Sequence, residues 1–134
     1  MFPVKELLVG NVLVYFLVSA GAAFSTEKPF TGVFQGSGRQ CYGKLFIRAK
    51  TLEWHTPFVI CKSTPYEIVS KNFDATKPEI VFLLKGGKSC GFGAIQMYSN
   101  PEDQGYWHVL GYRSLDDFQK KSDAFLACRV EKLE

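Results

Sequence analysis

Chemistry in this chain has few places to start: two histidines, four cysteines and one adjacent pair of aspartates. His55 and His108 each follow a tryptophan, in Trp54-His55 and Trp107-His108. An imidazole can serve as a general base or a metal ligand, but it needs a carboxylate to orient it or further ligands to complete a site. Neither histidine reads as having a carboxylate at catalytic spacing. Neighbours along a strand point to opposite faces, so both rings are expected outward if Trp54 and Trp107 belong to the core. Asp116-Asp117 reads as the acidic first turn of a short helix rather than an acid/base couple. No G-x-S-x-G elbow is present. Lys85-Gly86-Gly87-Lys88 precedes no helix, so it reads as a solvated hairpin turn and not a phosphate cradle. These observations assign no catalytic residue, no metal ligand and no cofactor. An enzyme or metal protein built on His55 or His108 is kept only as a third alternative.

The cysteines carry a different chemistry. Residues 7–18, LLVGNVLVYFLV, are almost wholly apolar and run into SAGAAFS. A short apolar stretch followed by small residues is the pattern of a secretory signal peptide. Ala20-Gly21-Ala22 fits the cleavage rule and Ala23 is a near-equal cleavage point, so a signal segment is expected over 1–23 and one domain over 24–134. A retained membrane anchor is the alternative, although the stretch is shorter than the roughly 20 residues a spanning helix needs. Export to a periplasmic or extracellular compartment is therefore expected. There Cys41, Cys61, Cys90 and Cys128 read as two disulfides, since no C-x-x-C pair suggests a metal. Four cysteines allow three connectivities. Cys41–Cys61 with Cys90–Cys128 is the pairing expected here, because each would join neighbouring or sheet-closing strands.

The segments that must position these residues alternate with a period of two. Phe30, Gly32 and Phe34 oppose Thr31, Val33 and Gln35; Lys44, Phe46 and Arg48 oppose Leu45 and Ile47. Such alternation argues half-buried antiparallel strands. Further strands are expected over Thr51–His55, Phe58–Lys62, Tyr66–Ser70, Glu79–Leu84, Cys90–Tyr98, Tyr106–Tyr112 and Asp123–Leu133, with Pro57 and Pro65 as punctuation. Ser114, two acids and two lysines predict a short helix near 114–121. The fold expected is all-β: a small antiparallel barrel or flattened barrel of about eight strands, stapled by disulfides. Twelve phenylalanines in so short a chain predict a filled interior.

The formal net charge is +3 and the basic residues are scattered, so nothing points to nucleic acid. The sequence instead suggests binding of a protein or cell-envelope component, with inhibition as one form it could take. Membrane contact is expected only through an uncleaved signal segment. Tyrosine combines apolar area with a polar tip. The turn holding Ser37 and Arg39 with Tyr42, and the 99–106 loop with Tyr106, are the candidate binding residues. Carriage of a small apolar ligand inside the barrel is the alternative function.

GVFQGSGRQCYGKLFI, residues 32–47, resembles the opening of the NlpE N-terminal domain family, small exported lipocalin-like barrels whose first strand carries G-x-aromatic-x-G before a cysteine-bearing turn. The family's cysteine pair is reduced here to Cys41, so its metal and sensing roles are not implied. Ser37-Gly38-Arg39-Gln40-Cys41-Tyr42 is also similar to the Ser-Gly-x-x-Tyr loop of periplasmic C-type lysozyme inhibitors, with one residue more. Both resemblances imply a barrel.

Overall fold

Alternation of apolar and polar residues along the chain becomes alternation of inside and outside around a closed barrel. The structure is a computed structural model that describes residues 28–74, 76–86 and 90–134. The signal segment expected over 1–23 lies outside these residues, as do Gly87 and Lys88 of the expected hairpin turn.

Eight strands follow one another: β1 (Gly32–Gly36), β2 (Gly43–Ile47), β3 (Thr51–His55), β4 (Ile60–Asn72), β5 (Glu79–Leu84), β6 (Ala94–Tyr98), β7 (Tyr106–Tyr112) and β8 (Leu126–Lys132). Each pairs antiparallel with the next, and β8 returns to β1 through Phe34↔Lys132 and Gly36↔Val130. The closed ring leaves no free sheet end. One short helix, α1 (Leu115–Gln119), lies between β7 and β8. Ser114 caps it, its Oγ accepting from the Asp117 N–H at 3.0 Å.

The inward positions fill the barrel. Phe34, Leu45, Leu52, Trp54, Phe82 and Ile95 are fully or almost fully buried, while their strand neighbours Lys44 and Glu53 face out. Burying a large apolar side chain contributes about 1.5–3 kcal/mol. Trp54 stacks on Phe92 at 5.2 Å, and Tyr66 meets Phe82 edge-on at 4.8 Å.

β4 departs from the expected pair of strands broken at Pro65. It runs unbroken because it changes partner there. Residues up to Pro65 pair with β3, and those from Tyr66 onward pair with β5. The Pro65 carbonyl accepts from the Lys85 N–H at 2.9 Å, just past the last β5 pair, so the missing N–H of proline interrupts no ladder.

The disulfides are Cys41–Cys128 and Cys61–Cys90, which corrects the expected pairing. The reason lies in where the ladders end. β1 stops at Gly36 opposite Val130, yet β8 continues back through Cys128 with no β1 partner. Cys41, in the β1–β2 turn, reaches across that seam. β5 likewise stops at Leu84 opposite Tyr66 while β4 continues back to Cys61, and Cys90 of the β5–β6 connection bridges there. Both bonds sit at one end of the barrel, on seams four strands apart. Up-and-down topology places the β1–β2, β3–β4, β5–β6 and β7–β8 connections at this disulfide end, and the other three connections at the opposite end.

Candidate functional site

The β1–β2 turn is held from both sides, and this exposes Tyr42. Ser37 and Arg39 are exposed at its tip, and the Tyr42 N–H donates to the Gly38 carbonyl at 3.0 Å. Cys41 ties the turn to β8. On the other side Gly43 adopts φ +140°, and a Cβ there would lie 2.0 Å from the His55 carbonyl oxygen. Only glycine permits so close an approach. The Tyr42 side chain is left 68 % exposed.

The neighbouring β3–β4 turn is organised by Thr56. Its hydroxyl donates to the Val59 carbonyl at 2.7 Å and accepts from the Val59 and Phe58 N–H groups at 2.8 and 3.2 Å. This turn presents Phe58, 47 % exposed, with its ring 5.3 Å from that of Phe125. Ile60, 55 % exposed, pairs opposite His55. From the sequence, Phe58 and Ile60 read as core residues of a strand over Phe58–Lys62; the structure corrects this and leaves both exposed. Their outward placement depends on where β4 begins, which the flanking Pro57 alone does not set.

Tyr106 does not join this surface. It opens β7 at the opposite end, so the expected binding residues Ser37, Arg39 and Tyr42 form one surface and Tyr106 belongs to another. Its ring is already covered, with the Arg129 guanidinium carbon 3.6 Å from the centroid. Arg129 also makes a fork to Asp103, at 2.8 and 2.6 Å. Asp103 in turn lies 3.4 Å from His108 Nε2, and His108 stacks on Tyr98 at 4.9 Å.

Both histidines point outward, but neither lacks a carboxylate, which corrects the sequence reading. His55 Nε2 lies 2.5 Å from Glu53, whose other oxygen receives Arg48 at 3.1 Å. Glu53 and His55 are two apart on one strand face, a spacing visible in the sequence. Asp103 reaches His108 only because the β6–β7 turn folds back. The hydrogen bond from His55 holds the Glu53 carboxyl below the usual carboxylate range, against a smaller opposing effect of burial. The fork from Arg129 does the same for Asp103. Each imidazole–carboxylate pair is completed by an arginine. Among the described residues no three histidine, cysteine or acidic side chains gather as a metal site.

Two other tyrosines are structural. Tyr66 donates its hydroxyl to the Arg48 carbonyl at 2.6 Å, and burial pushes its phenol up. Tyr112 lies under α1 against Phe118, with its hydroxyl 3.4 Å from Gln96, which itself donates to Glu79.

Comparison with protein-family models, with curated proteins and with solved structures finds no match for this chain.

Proposed function

We propose that this chain is an exported, non-enzymatic binding protein that recognises a protein or cell-envelope component through the rim at its disulfide end. The observation that carries this reading is the rigid display of Tyr42, Phe58 and Ile60. Tyr42 and Phe58 are held outward on turns fixed by a disulfide, a close glycine contact and a threonine-centred hydrogen-bond set, and Ile60 is held outward at the start of β4. Leaving apolar surface in water is unfavourable, and a contiguous patch of it marks an interaction site. A turn that is already ordered loses little entropy on binding. Two disulfides are compatible with an oxidising compartment. The filled interior weighs against carriage of a small apolar ligand within the barrel.

The test is capture from envelope extract with the oxidised domain as bait. A partner held by the wild type and lost by Tyr42→Ala and Phe58→Ala supports the rim. Equal capture by Arg39→Ala and Tyr42→Ala variants would remove it as the binding surface.

A further inference from the structure

The charges of this barrel are separated along its axis. At the disulfide end the described stretches 36–45, 55–66, 84–86 and 90–94 contain no aspartate or glutamate, yet hold Arg39, Lys44, Lys62 and Lys85. None of these four forms an ion pair among the described residues. The acids nearest that end are Asp116, Asp117 and Asp123 of the β7–β8 connection, where Arg113, Lys120 and Lys121 accompany them and Asp116 is bridged to Lys120, together with Glu53 on β3, which is occupied by His55 and Arg48, and Glu67 on β4. At the opposite end Asp74, Glu79, Glu102, Asp103, Glu131 and Glu134 offset the basic residues, as in the Arg129–Asp103 fork. The modest positive charge of the whole domain is thus concentrated around one mouth.

These four basic groups, without an ion pair among the described residues, stand on the β1–β2 turn, β2, β4 and just past β5, along the side of the rim that displays Tyr42, Phe58 and Ile60. Apolar tips beside basic groups at one end suit a flat, negatively charged surface. The basic groups gain from the surface potential, while tyrosine and phenylalanine seat at the depth of the headgroups. The charge separation also orients the barrel, because the two ends feel a negative surface differently.

We propose that the envelope component met by this rim is the surface of an anionic lipid bilayer, on which the domain stands by its disulfide end. This rests on the reading of the rim as the binding surface.

The test is co-sedimentation of the oxidised domain with vesicles of equimolar phosphatidylglycerol and phosphatidylcholine, against vesicles of phosphatidylcholine alone. Binding is expected only to the anionic vesicles, with release as salt is raised. The pair Arg39→Gln and Lys62→Gln is expected to weaken partitioning by roughly 30-fold. Phe58→Ser with Ile60→Ser is expected to weaken it by at least about tenfold, which separates insertion from attraction to any polyanion. Lys77→Gln with Lys132→Gln, at the opposite end, is expected to leave it unchanged. A thermal melt of each variant establishes that it is folded. Absence of binding to anionic vesicles, equal binding to both compositions, or equal loss in the opposite-end pair would overturn the inference. If vesicle binding fails while a protein is captured in a Tyr42-dependent way, the bilayer assignment falls and the rim remains a binding surface.

Discussion

Cys41 and Cys128, 87 residues apart in the chain, are joined across the seam where β8 outruns β1. The bond replaces backbone pairing at a place where the ladder has ended. Cys61–Cys90 does the same between β4 and β5. The strand pairs that these bonds bridge are neighbours in the ring, but one pair becomes neighbours only when the barrel closes.

Peptide mapping without reduction is expected to recover 41–128 and 61–90 as the linked pairs. In the chain-entropy account the longer loop is worth roughly 4–5 kcal/mol and the shorter roughly 3.5 kcal/mol. Cys41→Ala with Cys128→Ala should therefore lower stability to urea more than Cys61→Ala with Cys90→Ala. The reverse order would show that native-state contacts, not loop closure, dominate.

Gly43 and Gly38 separate two costs that a glycine can avoid. Both have positive φ, but a Cβ at Gly38 meets nothing within 4 Å, whereas one at Gly43 runs into the His55 carbonyl. Gly38→Ala is expected to cost about 1–2 kcal/mol through backbone strain alone. Gly43→Ala should cost about 3 kcal/mol or more, because β2 and the β3–β4 turn must move apart. Chemical denaturation of the two variants measures the difference directly.

Acid should weaken the fold through Glu53 and Asp103. Both carboxyls titrate lower in the folded chain than in the unfolded one. The unfolded state therefore binds more protons across the carboxylate range, and stability rises with pH there. The contribution is complete above the unfolded value and is lost as pH falls through the folded one. A thermal midpoint followed against pH should show this slope, and Glu53→Gln should flatten it.

Trp54 and Tyr42 should answer differently to truncation. Trp54 is 1 % exposed and stacked on Phe92, so Trp54→Ala is expected to cost about 3–5 kcal/mol. Tyr42→Ala should change stability by no more than about 0.5 kcal/mol while impairing capture of a partner. A large loss of stability on removing Tyr42 would make that residue structural instead.

Period-two patterning made most of the barrel legible. Leu45 and Ile47 face in and Lys44 faces out, as the alternation of β2 requires, and Ser114 caps α1 as its position in the sequence suggests. Pro65 misled because a proline normally ends a strand, and only the switch of partner from β3 to β5 explains its place inside β4. The disulfide pairing was not legible for a related reason: Cys41 and Cys128 meet through ring closure, which leaves no local mark. The candidate surface was half legible. Ser37, Arg39 and Tyr42 share one turn, but separating Tyr106 from that surface needs the parity of the connections, since odd and even turns leave a meander at opposite ends.

That parity also bears on how the domain is presented. Lys28 enters the barrel beside Phe30, whose ring lies 5.4 Å from Phe73 and 5.3 Å from Trp107, all at the end away from the disulfides. A tether attached ahead of Lys28 would hold the domain by its base and aim Tyr42 away from the membrane that anchored it. A tethered copy would therefore reach an opposing surface, whereas a released copy could settle on any anionic surface it meets.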